Sequence, residues 1–129
     1  MNNINHNPEN LLPLSPAIFH ILLALADGDR HGYGIMQEVK TRTEGQVQLG
    51  PGTLYGAIKR LLKKGLIEET EERPDPELND ERRRYYRLTE FGQRVLQAET
   101  ERMAQLVKQA QVKQLLPGWS QKSQLKGGV

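Results

Sequence analysis

The chain has 129 residues, no cysteine, and 18 Lys and Arg against 16 Asp and Glu, for a formal net charge of +2. That length suits one domain with a modest core, and the missing cysteine excludes disulfides and thiolate metal sites and fits a reducing cytoplasm. No apolar run approaches the roughly 20 residues that span a bilayer, and a charge this near to balance names no partner, so its distribution must be read.

Residues 1–13 open MNNINHNPEN, with neither the basic nor the apolar region of a signal peptide, and read as a flexible N-terminal arm. Ser15-Pro16 then starts a helix, with Ser able to cap free N–H groups and Pro tolerated at the first helical position. The run AIFHILLALADG that follows is apolar almost all round, which predicts a buried helix stopped by Asp27-Gly28-Asp29. A second helix is expected from near His31 to Thr43, with Tyr33, Ile35, Met36 and Val39 on one side. Gly32 and Gly34 at its start point to a close backbone approach. Gly45 ends it, and QVQL at 46–49 alternates as a short extended piece would.

Pro51 opens a third helix, PGTLYGAIKRLLKK, which Gly65 ends. At helical spacing Leu54, Ala57, Ile58, Leu61 and Leu62 form one apolar stripe. Lys59, Arg60, Lys63 and Lys64 fall on the far side, with Thr53 and Tyr55 flanking. Such a helix can pack its leucines inward and present cations to a major groove wide enough to admit it. Gly50-Pro51-Gly52-Thr53 leaves backbone N–H groups at the positive end of the helix dipole, which suits a phosphate. Lys-rich helix faces are also common solvated surface, so the face alone does not establish contact with DNA.

After Gly65, LIEETEERP reads as a strand broken by Pro74 and Pro76, and RRRYYRLT at 82–89 as a second. The polar loop between them makes a β-hairpin. Strand alternation prevents Arg82, Arg83 and Arg84 from all facing one way, so at least one is expected to be solvated or to pair with the Glu68–Glu72 cluster. Thr89 can cap a long fourth helix to about Leu116, where Pro117-Gly118 ends it, and 117–129 is a polar tail. The expected fold is mainly α with a small β-hairpin. Residues 14–89 have the layout of a winged helix-turn-helix, and 90–116 form one long C-terminal helix.

HGYGI (31–35), PGTLYGAIKRLLKKGLI (51–67) and RRYYRLTEFG (83–92) resemble, in order and spacing, three motifs of PadR-like transcriptional regulators. The resemblance covers most of 15–92. It implies a winged-helix homodimer that represses transcription, often of detoxification, efflux or stress genes, with double-stranded DNA as partner. Carried onto this sequence, the implied DNA contacts are Gly52, Thr53, Tyr55, Lys59, Arg60 and Lys63 on the third helix and Arg83 on the wing. His31 and Tyr33 are implied phosphate contacts. Members can be released from DNA by small phenolic or hydrophobic effectors near the dimer helices. Two features depart from the pattern. The wing tip carries Asp75, Glu77, Asp80 and Glu81, which phosphate would repel, and only one long helix follows the wing, as in a short form of the family.

On that helix Leu96, Met103, Leu106, Val107 and Ala110 recur in a rough stripe interrupted by Glu99. A small body cannot bury so long a stripe alone, so these five residues are expected to form a dimer interface. His6, His20 and His31 are scattered, with no metal-ligand spacing, and His20 is expected to be a packed or hydrogen-bonded core residue. No nucleophile elbow, P-loop or dinucleotide-binding glycine pattern occurs, so neither enzyme activity nor a cofactor is expected. The acidic wing tip and near-neutral charge leave one alternative, a winged-helix adaptor that binds protein.

Overall fold

The computed structural model describes residues 7–70 and 84–116. A 3-10 turn (Pro8–Leu11) precedes α1 (Pro16–Ala24), β1 (Arg30–His31), α2 (Gly32–Arg42), α3 (Pro51–Lys63), β2 (Ile67–Thr70), β3 (Tyr85–Leu88) and α4 (Glu90–Val112). The strands form an antiparallel sheet in the order β1-β3-β2. In it Glu68 faces Arg87, Glu69 faces Tyr86, and Arg30 faces Tyr86 on the opposite edge. This is the mainly α fold with a small hairpin that the sequence predicts, extended by the two-residue strand β1.

Each helix begins where its capping chemistry allows. Ser15 Oγ accepts from the Ile18 N–H at 3.2 Å, and Thr89 Oγ1 from the Gly92 N–H at 2.9 Å. α3 ends in a left-handed Gly65 (φ +78), which lets the Leu66 N–H reach back to the Leu61 carbonyl at 3.0 Å and the Gly65 N–H to Leu62 at 3.1 Å. The same corner receives the end of the hairpin. The Thr89 N–H donates to the Leu66 carbonyl at 3.0 Å, and the Thr89 hydroxyl to the Gly65 carbonyl at 2.6 Å. A side chain on Gly92 would overlap the Leu66 carbonyl, so α4 departs from this corner only because Gly92 has none.

The core draws Ile21, Leu22 and Ala24 from α1 and Leu25 from its C-cap, Ile35 and Val39 from α2, and Leu54, Ala57, Ile58 and Leu61 from α3. Leu66, Ile67, Tyr86, Phe91 and Val95 close it from the hairpin and α4. Burial of each large apolar side chain contributes about 1.5–3 kcal/mol. His20 is half-buried with Nδ1 3.1 Å from Arg42 Nη1, and Arg42 also holds Glu38. Burial first, and then the Arg42 charge, pushes the His20 pKa down, which keeps the ring neutral as an acceptor. The alternation at 46–49 is real in burial, since Val47 and Leu49 pack inward while Gln46 and Gln48 are exposed. No strand forms there; Thr43 Oγ1 instead accepts from the Val47 N–H at 3.0 Å and ties the loop to α2.

Two expectations are corrected. Residues 7–13 are not a loose arm: Asn7 caps the 3-10 turn, and Leu11 and Leu12 pack against the core. Glu99 is not an interruption of an apolar stripe but a buried anchor. Its Oε2 accepts from the Leu14 N–H at 3.0 Å, and Arg102 grips both of its oxygens at 2.6 and 2.9 Å. Residues 1–6, the hairpin loop 71–83 and the tail 117–129 lie outside the described residues.

The Arg102 hydrogen bonds, opposed by burial and aided by the Leu14 N–H, hold the Glu99 carboxyl below its usual pKa. A folded-state pKa below the unfolded one stabilises fully above the unfolded value, about 4.3, and that stability disappears as pH falls through the folded value. Arg102 is 37% exposed, so solvent screens part of the effect. Glu99→Gln should therefore cost about 1–3 kcal/mol in urea denaturation at pH 7, with the difference from wild type shrinking below about pH 4. Equal stability at pH 7 would contradict the anchor.

Candidate nucleic-acid interface

The interface is organised by α3, whose buried stripe fixes what its other faces show. With Leu54, Ala57, Ile58 and Leu61 inside, helical spacing puts Gly52, Lys59 and Lys63 on the opposite, exposed face. Neither lysine has an ion pair among the described residues, so both charges stand in solvent as α3 is presented. Arg60 and Lys64 take the flank towards the N-terminal segment, where they line a pocket of about 200 Å³ with Leu11, Leu14, Ile18 and Leu66. The Arg60 guanidinium lies back over Gly56, with Nη1 3.9 Å from the place a Cβ there would occupy. The four bases thus split into an outward pair and a flanking pair, a distinction the linear sequence blurs.

The start of α3 has its own character. Asn7, Ser15, His31 and Thr89 cap their helices with side chains, whereas Gly50 at the α3 N-cap makes no side-chain cap. Pro51 has no N–H, so the exposed Gly52 and Thr53 carry the uncapped N–H groups of the first turn. These face the same solvent as Lys59 and Lys63.

α2 begins beside α3. His31 Nδ1 accepts from the Gly34 N–H at 3.0 Å, which places the proton of the neutral ring on Nε2. Tyr33 stacks on His31 at 6.4 Å between centroids and is 54% exposed, with its hydroxyl receiving a hydrogen bond from Gln37. Tyr85 meets His31 edge-on at 5.2 Å, so the cap is braced by the sheet. Tyr55 is 48% exposed and lies against Gly32, the first residue of α2. The Tyr86 hydroxyl is pushed up in pKa, first by burial, then by Glu69, with a smaller contribution from Tyr55. Of the residues singled out in the sequence, His31, Tyr33, Gly52, Thr53 and Tyr55 therefore lie at the starts of α2 and α3, Lys59 and Lys63 on the outward face of the later turns of α3, and Arg60 on its flank. It did not assign Gly32 or Gln37, because their partners lie in other turns or elements.

The wing is electrostatically different. Arg84 pairs with Glu69 and Arg87 with Glu68, each at 3.0 Å, as their cross-strand positions allow. The expected pairing of hairpin arginines with the glutamate cluster is present, and these two cations are already answered. Arg83 and the acidic tip lie outside the described residues. Among the described residues no group of three or more His, Cys, Asp or Glu could hold a metal ion, and no helix is long and apolar enough to cross a membrane.

A three-helix body with its third helix displayed and a hairpin beside it defines a winged helix-turn-helix protein. Residues 21–98 match the model of the transcriptional regulator PadR-like family, and the chain belongs to that family. It is 36% identical over 98 residues to an uncharacterized protein X of Lysinibacillus sphaericus, covering 74% of this chain and 80% of the relative. It is 41% identical over 86 residues, 67% of this chain, to an uncharacterized 37.1 kDa protein of a Streptomyces fradiae transposon, and spans 22% of that longer relative. Among solved structures, a transcriptional regulator from Clostridium thermocellum superposes with a TM-score of 0.60 at 28% identity, over 77% of this chain and 91% of that one. Bacillus subtilis PadR in complex with operator DNA superposes with a TM-score of 0.53 at 22% identity, over 64% of this chain and 45% of that one, a likeness of fold.

Proposed function

We propose that this family member is a homodimeric repressor that binds an inverted-repeat operator with α3 in the major groove. The observation that carries the reading is the outward pair Lys59 and Lys63, unpaired among the described residues and aligned with the uncapped start of α3. Backbone N–H groups and cations so placed suit phosphates flanking a groove, while Thr53 and Tyr55 supply hydroxyls nearby. Bacillus subtilis PadR, which shares the fold, has been solved in complex with operator DNA, which supports DNA as the partner. The protein-adaptor reading draws on one observation, the neutralisation of Arg84 and Arg87 by wing glutamates.

Dimerisation is proposed through the outer part of α4. Leu96 is corrected here, since at 7% exposure it belongs to the core of its own chain. Beyond Glu99 the helix becomes largely exposed. Met103 and Ala110 are half-buried, whereas Leu106, Val107, Val112 and Leu115 stand exposed. A second copy would cover them and set two α3 helices roughly 34–36 Å apart, one turn of DNA. A cleft of about 450 Å³ between Leu23, Leu88 and Leu96 and another beside Leu12 and Arg102 flank this helix. Neither is lined by an aromatic ring, so a phenolic effector gains no stacking wall there and we assign none.

Lys59→Ala combined with Lys63→Ala should lower the slope of log affinity against log salt by about 2, at about 0.9 for each phosphate no longer neutralised, with folding stability changed by less than about 0.5 kcal/mol. An unchanged slope would place these lysines off the DNA. Leu106→Asp should raise the dimer dissociation constant by about a hundredfold or more, because an unpaired carboxylate in an apolar interface costs a few kcal/mol. Light scattering that still shows a stable dimer would move the interface elsewhere.

A further inference from the structure

Gly32 is buried at the first position of α2, directly after the His31 cap. Its backbone gives no reason for glycine. It is not among the residues of positive φ, and alanine is the better helix former at ordinary helical angles. The reason is space. A Cβ at this position would overlap the Tyr55 hydroxyl and lie 2.7 Å from Cζ and 2.8 Å from Cε1 of the same ring. Three joined atoms at the outer edge of one ring occupy the volume, so an alanine here would have to displace the whole Tyr55 ring from this position. Gly34, two residues on, is different: a Cβ there would meet the His31 ring at 3.5 Å, an ordinary contact.

The Tyr55 ring therefore seats in a slot on α2 that the missing side chain of Gly32 creates. Tyr55 sits on the flank of α3, between the buried stripe and Lys59, so its seat bears on the roll of α3 about its own axis. The leucines hold α3 against the body but are interchangeable in shape to within small shifts. The Tyr55 ring adds a close contact with the first turn of α2 that the leucine stripe does not make.

Building on the DNA-binding reading, we propose that Gly32 is a positioning residue for operator recognition: its bare Cα seats Tyr55 and thereby sets the angle at which α3 presents Lys59 and Lys63. Gly32 touches no base or phosphate in this account and acts through Tyr55.

The test compares wild type, Gly32→Ala, Tyr55→Ala, the double variant and Gly34→Ala by fluorescence anisotropy. The probe is a duplex that the wild-type protein selects from a randomised library, and thermal melts are run on every variant without DNA. Gly32→Ala should weaken binding about tenfold, as expected for coupling between residues in contact. It should cause little further loss once Tyr55 is alanine, and Gly34→Ala should bind as wild type does. In the melts, Gly32→Ala should lower the midpoint only while Tyr55 is present. Equal losses with and without Tyr55, in binding or in melting, would overturn the proposal alone. So would a loss in Gly34→Ala matching that in Gly32→Ala, since the effect would then belong to the helix start. Failure of the wild-type protein to select any duplex would overturn it together with the DNA-binding reading, while the melts would still report whether the ring seat exists.

Discussion

Burial of Leu54, Ala57, Ile58 and Leu61 along one side of α3 is the constraint from which the rest follows. Truncating Leu54, Ile58 or Leu61 to alanine would cost about 2–5 kcal/mol, a sizeable share of the net stability of a small domain. The helix therefore cannot roll to hide Lys59 and Lys63, and its cations stay in solvent at no separate cost. A charged and exposed face is thus a by-product of hydrophobic packing on the other side, and the proposed seat of Tyr55 on Gly32 refines the angle at which it is held.

That helix is fixed at both ends by backbone devices. At its C-terminus the Gly65-Leu66 corner receives the last strand and launches α4, through Thr89 and the close approach of Gly92. α3, the wing and the proposed dimer helix thus share one joint. At the N-terminal side the seat of Tyr55 on Gly32 links α3 to α2, and the His31 cap links α2 to the sheet through Tyr85. A second anchor, Glu99, draws the N-terminal segment onto α4 through the Leu14 N–H.

Most of the framework was legible because it is local. Ser15-Pro16, Thr89 and Gly65 announce helix ends through chemistry that acts within a few residues, and the α3 stripe is a matter of spacing alone. The features that escaped depend on partners distant in sequence. β1 is two residues long and has no periodicity to detect; it exists because β3 offers it an edge. Glu99 looked like a flaw in an apolar stripe because its partner, the Leu14 N–H, lies 85 residues away. Gly32 was legible as a close approach, but nothing in the sequence says that Tyr55 fills the space. Leu96 falls on the expected stripe yet faces its own core, since periodicity gives a face but not which body covers it. At the site, the split of Lys59, Arg60, Lys63 and the C-cap Lys64 into an outward and a flanking pair required knowing where the N-terminal segment packs.

The measurement that bears most directly on this account is selection of duplexes from a randomised library by the wild-type protein, followed by native mass spectrometry of the winning complex. A homodimer reading an inverted repeat selects a two-fold symmetric motif whose half-sites lie one turn, roughly 10–10.5 base pairs, apart, with two chains bound per duplex. No enriched motif, with only weak binding that vanishes at physiological salt, would contradict it and leave α3 as a charged surface without a sequence to read.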